Sequence, residues 1–213
     1  MRRPRELQLC LQACFVVLIV SVTAGAAFAQ SERELCAKST GDAAIAACDK
    51  VIAGNPKDAD AFSNRGFTWS AKGDQDKAIA DFNEALKLNP KHARALSNRG
   101  VAWNRKGDHD KAIADSTEAI KINKRYAKAY NNRGVAFIRK KEFDKAIADL
   151  NESIKLNPKD ASAYFNRGNA LEMKGSLSDA LADFKKFAEL SPSDTDGPQA
   201  VTRLEQKIKG GGR

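Results

Sequence analysis

Few residues in this 213-residue chain could carry chemistry, and they do not assemble into a reaction. Cys36 and Cys48 form no Cys-x-x-Cys pair and have no histidine close in sequence, so neither a zinc site nor a redox motif is spelled out. The two histidines, His92 and His109, are isolated from each other and from both cysteines. No glycine-rich phosphate loop and no serine-nucleophile motif occurs. The expectation is therefore no catalytic residue, no metal site, no cofactor and no enzyme. The polar residues that do stand out recur in register: Asn-Arg-Gly at 64–66, 98–100, 132–134 and 166–168. Each of those arginines has an aspartate sixteen residues later, giving Arg65/Asp81, Arg99/Asp115, Arg133/Asp149 and Arg167/Asp183. A guanidinium can hold a ligand carboxylate or a carboxylate of its own chain; the fixed separation favours the second.

The elements that would position these residues follow an N-terminal segment that is set aside first. Arg2, Arg3 and Arg5 precede an apolar run from about Ala13 to Ala29, which closes on Ala27-Phe28-Ala29. A basic start, an apolar middle and a small-x-small end are the layout of a secretory signal peptide, here residues 1–29, with cleavage expected after Ala29. The alternative is an uncleaved anchor, although the run is short for a membrane span. Export would place the protein in the periplasm or outside the cell, where disulfides persist. Removing Arg2, Arg3, Arg5 and Glu6 would lower the net charge from +9 to +7. With 42% hydrophobic and 30% charged residues, the chain is too apolar to be disordered. Only one stretch is apolar enough to enter a bilayer, so a multi-span membrane protein is excluded.

The main signal is self-similarity at a shift of 34 residues. Besides Asn-Arg-Gly, Ala-Ile-Ala-Asp occurs at 78–81, 112–115 and 146–149, with Ala-Leu-Ala-Asp at 180–183. The units are 59–92, 93–126, 127–160 and 161–194. A period of this length predicts an all-α solenoid of stacked helical hairpins. Each unit holds two apolar-periodic segments of three to four turns. Gly73, Gly107 and Gly175 fall just past the first helix, where a left-handed cap is needed. Pro90, Pro158 and Pro192 are expected to stop the second helix. Lys124 stands where such a proline is missing, which leaves open whether the two helices there fuse into one longer helix. Four glycines at one repeat position (Gly66, Gly100, Gly134, Gly168) imply close helix–helix approach, since glycine inside a helix costs about 1 kcal/mol against alanine.

At these residues the chain resembles the tetratricopeptide repeat family, whose fold is a right-handed α-solenoid. The pattern is carried by Phe62, Leu96, Tyr130 and Tyr164 at repeat position 4 and by the four glycines at position 8. Trp69, Trp103, Phe137 and Leu171 stand at position 11, and Ala78, Ala112, Ala146 and Ala180 at position 20. Trp69, Trp103 and Phe137 thereby read as packing residues and not as platforms for nucleic-acid bases. Ser116, Lys124 and Lys141 depart from the pattern, and Phe187 replaces a small residue late in the last unit. Residues 30–58 match a partial first hairpin, in which Cys36 and Cys48 fall at positions 12 and 24 on facing helices. The resemblance thus implies a Cys36–Cys48 disulfide, with two buried thiols as the alternative. Residues 195–213 hold an amphipathic capping helix from Gln199 to Lys209 and a glycine tail.

In the family, first-helix side chains at positions 2, 5, 6, 9, 12 and 13 line a concave groove. The resemblance therefore implies ligand contacts from Asn64, Arg94, Asn98, Asn104 and Arg105, and from Lys128, Asn131, Asn132, Arg139 and Asn166. Such a groove suits an extended and acidic peptide, with amides on its backbone and basic groups on its carboxylates. The alternative for each Asn is a bond to a neighbouring helix. The family's clamp for chaperone tails is not assembled: position 5 reads Ser63, Ser97, Asn131 and Phe165, with no lysine. The expected role is a protein-interaction scaffold of the cell envelope. Electrostatic binding of an anionic envelope component or of nucleic acid is the rival reading of a chain with pI near 9.4. For nucleic acid it is weakened by the acidic residues interleaved among the basic ones.

Overall fold

The computed structural model describes residues 30–210; the expected leader and its cleavage site lie outside the described residues. Those residues form eleven helices and no strand. The first, α1, covers 30–38 and pairs with α2 (Gly41–Gly54). The four units follow as α3 (Ala59–Ala71) with α4 (Gln75–Leu88), and α5 (Ala93–Lys106) with α6 (His109–Ile122). Next come α7 (Ala127–Arg139) with α8 (Phe143–Leu156), and α9 (Ala161–Lys174) with α10 (Leu177–Leu190). Helix α11 (Asp196–Gly210) closes the stack, starting three residues before the expected Gln199. No described helix is long and apolar enough to cross a membrane.

Each helix packs on the next in sequence, and α3, α5, α7 and α9 also touch one another in succession. The first helices of the hairpins therefore crowd together, and the right-handed stack curves with them on its inner wall. The glycines permit the tight pairing inside each hairpin. A Cβ on Gly66 would lie 3.0 Å from the Ala78 carbonyl and 3.0 Å from the Phe82 ring, and one on Gly134 would lie 2.9 Å from Leu150 Cγ. Phe82, Leu150 and Phe184 fill those contacts and are fully buried. Trp69 and Trp103 pack against the core beside Phe82. Lys77 and Lys111 cover their outer faces at 4.3 Å from the ring centroids, a cation–π contact.

The turns are cut by side chains. Gly73, Gly107 and Gly175 take the expected left-handed conformation, with φ between 87° and 91°. Lys141 adopts it too, at φ 61°, where an L side chain is strained. Asp58, Asp74 and Asp108 cap the helices that follow them by accepting a backbone N–H. His92 caps α5 in the same way, through Nδ1 on the Ala95 N–H. Tyr126 and Glu142 provide no such bond, so the third unit lacks side-chain caps at both helices.

The question left open at Lys124 is answered by a break: α6 ends at Ile122 and α7 begins at Ala127. The reason is Asn123, whose Oδ1 accepts the Arg125 N–H while its carbonyl accepts the Tyr126 N–H. Asn55, Asn89 and Asn157 make the same side-chain bond at the equivalent sites. The asparagine turn ends these helices, and the proline that follows it elsewhere is dispensable.

The cysteines form the Cys36–Cys48 disulfide, with Cα atoms 4.7 Å apart, tying α1 to α2. At the other end Phe187 is buried core. It stacks on Phe165 at 4.9 Å, and Gly197 of the capping helix lies against it.

Candidate functional site

The recurring arginines are spent on the stack. Arg133 reaches Asp149 through Nε at 2.7 Å and Nη2 at 2.8 Å, and its Nη1 reaches Thr117 in the preceding unit at 3.0 Å. Arg65, Arg99 and Arg167 repeat this fork, with Asp49, Asn83 and Asn151 as third partners. One guanidinium thus joins both helices of its own hairpin to the hairpin before. The partner aspartates are all buried. Hydrogen bonds donated to the paired carboxylates raise the pKa of Arg65, Arg133 and Arg167 against the opposing effect of burial. A raised arginine pKa contributes stability that is complete below the unfolded value and lost only far above neutrality, so the guanidinium side of the forks stays charged at ordinary pH.

The inner wall carries the candidate site. An open cavity of about 590 Å³ lies between α5 and α7. Val101 and Val135 form its apolar floor, and Arg105, Arg139, His109 and Asn132 supply its polar groups. Arg105 is held in place, its Nη1 donating to the Ser70 carbonyl at 2.7 Å and the Ser70 hydroxyl at 3.0 Å. Arg139 is exposed and makes no ion pair or hydrogen bond among the described residues. The expected groove positions do not include His109; it enters from the first residue of α6, and its Nδ1 lies 3.1 Å from Asn104 Oδ1.

The asparagines divide. Asn132 donates to the Ser97 hydroxyl at 2.9 Å, Asn104 donates to the Asn132 carbonyl, and Asn166 donates to Asn131 Oδ1 at 3.0 Å. These amide N–H groups bond neighbouring helices; Asn132 also lines the cavity, and its side-chain oxygen accepts no hydrogen bond among the described residues. Arg94 is occupied by Asp60 at 3.0 Å. Asn64 and Arg94 instead border a smaller cavity of about 370 Å³ beside Cys36 and Asp60. Asn98 and Lys128 lie on the groove helices, and no hydrogen bond joins their side chains to the described residues. Phe67 on α3 is 56% exposed, an unusual state for a phenylalanine. It occupies the same repeat position as Val101 and Val135, so applying the groove positions to the first unit would have found it.

A second regular feature sits at the C-terminal ends of the first helices, where Lys106 also borders the cavity. Lys72, Lys106, Lys140 and Lys174 each pair with an aspartate of the preceding unit: Asp42, Asp76, Asp110 and Asp144. This ladder pairs those four lysines and leaves most of the chain's lysines outside it. Exposed pairs of this kind add little stability individually. Among the described residues no cluster of His, Cys, Asp or Glu could hold a metal ion.

Comparison with known proteins agrees with this architecture. A profile described as TPR repeat matches residues 136–175, and two described as tetratricopeptide repeat match 70–130 and 161–194. No curated protein matches the chain significantly. Among solved structures, MamA is 30% identical with a TM-score of 0.59, over 71% of this chain and 82% of that one. A thermophilic TPR protein of Thermus thermophilus shares the fold at 22% identity and TM-score 0.68, over 78% of this chain and 90% of that one. The first TPR of Spaghetti (RPAP3), solved bound to HSP90 peptide SRMEEVD, is 26% identical with TM-score 0.53, over 55% of this chain and 93% of that one. Repeat pattern, stacked hairpins and matching profiles agree: the chain belongs to the tetratricopeptide repeat family.

Proposed function

We propose that this protein is a non-catalytic scaffold of the cell envelope that grips an extended segment of a partner protein in its concave groove. One observation carries the reading: the cavity on the inner wall pairs an apolar floor with an unpartnered guanidinium, Arg139, while the stacking arginines are saturated. Such a surface binds by shape and by a few polar anchors, which is how grooves take peptides. The peptide held by the RPAP3 repeat domain supports the same use of this fold. The envelope assignment draws on the leader layout of residues 1–29 and on the Cys36–Cys48 bridge, a bond that survives where thiols are oxidised.

A photo-crosslinking residue placed at Val135 in the groove, and separately at exposed Ala148 on α8, tests the groove in cells. Partner protein should be captured from Val135 and not from Ala148, and capture should persist in moderate salt. Equal capture from both positions, or loss in salt, would instead indicate diffuse charge binding. Thiol counting on the processed chain tests the compartment. No free thiol before reductant and two after it are expected; two free thiols at the outset would refute the bridge.

A further inference from the structure

The concave wall is striped. At one repeat position it presents Phe67, Val101 and Val135 from α3, α5 and α7. Four residues further along the same helices it presents Arg105 and Arg139. Four residues in a helix amount to about one turn, so the two rows run side by side roughly 6 Å apart, across the helices. The rows are physically joined, because Arg105 reaches the C-terminal end of α3 at Ser70, one turn beyond Phe67. Phe67 projects into solvent, while Val101 and Val135 are half-buried. Arg139 faces the cavity with no carboxylate of its own.

An extended chain laid across these helices points successive side chains in opposite directions. Placed between the two rows, it sends every second side chain toward the apolar row and the others toward the arginines. Packed helices lie about 8–10 Å apart, so the apolar row spans on the order of 16–20 Å. That is the length of about five or six extended residues. Resting on the groove reading above, we infer that the preferred ligand is a strand-like peptide in which acidic and apolar side chains alternate. Arg139 and the pre-positioned Arg105 take the carboxylates, and Phe67 takes a large apolar side chain. Asn132 Oδ1 stands ready to accept a main-chain N–H. A point charge alone would satisfy neither the exposed phenylalanine nor the spacing of the rows.

The test is calorimetric titration of the protein with synthetic peptides of about eight residues. One alternates Glu and Leu, a second has the same composition in two blocks, and a third alternates Glu and Ser. The alternating Glu–Leu peptide should bind at least about tenfold more tightly than the block peptide. Arg139→Ala should weaken it by about tenfold, a charge-assisted contact being lost. Phe67→Ala should weaken the Glu–Leu peptide and leave the Glu–Ser peptide unchanged. Both side chains are exposed, so unchanged thermal melting will show that the variants fold. Equal affinity for alternating and block peptides overturns the inference, as does indifference to Arg139→Ala or to Phe67→Ala. If those results appear while Val135 still crosslinks a partner, the alternation rule fails and the groove reading stands; if Val135 captures nothing, both fail.

Discussion

Arg133 and Arg139 stand six residues apart on one helix and are used in opposite ways. Arg133 belongs to a series repeated in every unit and is bonded at all three nitrogens, two to Asp149 and one to Thr117. Arg139 repeats only in Arg105, faces the cavity and has no partner among the described residues. The same side chain is cement in one region and an open contact in the other. Residues that keep the repeat's period hold the stack together. Arg139, which breaks that period on the inner wall, is left over for a ligand.

The largest effect expected from testing that contrast is at the fork. Arg133→Ala leaves the buried Asp149 carboxylate unpaired and should cost about 3 kcal/mol, the scale for breaking one side of a buried pair. Asp149→Ala should cost a similar amount. The double variant should lose clearly less than the sum, because no orphan charge remains. Denaturant unfolding of all three measures the coupling. Purely additive losses would show that the fork is not a pair, and the contrast with Arg139 would dissolve.

A smaller loss is expected from Gly66→Ala. The new Cβ meets the Ala78 carbonyl and the Phe82 ring, each at 3.0 Å, and a backbone atom cannot move aside cheaply. A penalty of about 1–3 kcal/mol for overpacking outweighs the gain of about 1 kcal/mol in helix propensity. An unchanged or raised melting temperature would mean that the periodic glycine is not needed for approach of α3 to α4.

Much of this was legible before any coordinates. The period of 34, the fork partners, the glycine contacts and the cysteine bridge all follow from residues whose role recurs or whose geometry is local. Three things were not. The break after Ile122 depends on the asparagine turn and not on proline, and that turn recurs at Asn55, Asn89, Asn123 and Asn157. The amides of Asn104, Asn132 and Asn166 point as the repeat positions require, yet whether they meet a ligand or a helix depends on ångström distances between units. His109 reaches the cavity from the start of a second helix, outside the set of groove positions.

Lys141 sharpens the contrast from another side, since it too breaks the period but lies in an exposed turn and does not line the cavity. Lys140-Lys141-Glu142 occupies the place of Lys106-Gly107-Asp108 in the second unit. Lys141→Gly relieves a left-handed φ of 61° and should stabilise by about 1 kcal/mol. Peptide affinity should not change. A drop in affinity would place this turn in the site and contradict the rule that only departures on the inner wall matter to a ligand.

The smallest expected change in stability is at Arg139 itself. Surface substitutions that remove no cap, pair or packing contact usually stay within about 0.5 kcal/mol, and Arg139→Ala meets that condition. Removing one positive charge from a basic chain also eases self-repulsion slightly. Its melting midpoint should therefore match the parent, beside the large loss at Arg133 on the same helix. If Arg139→Ala unfolded as readily as Arg133→Ala, the guanidinium would be holding the stack after all. The groove would then lose the unspent charge on which its use as a binding surface depends.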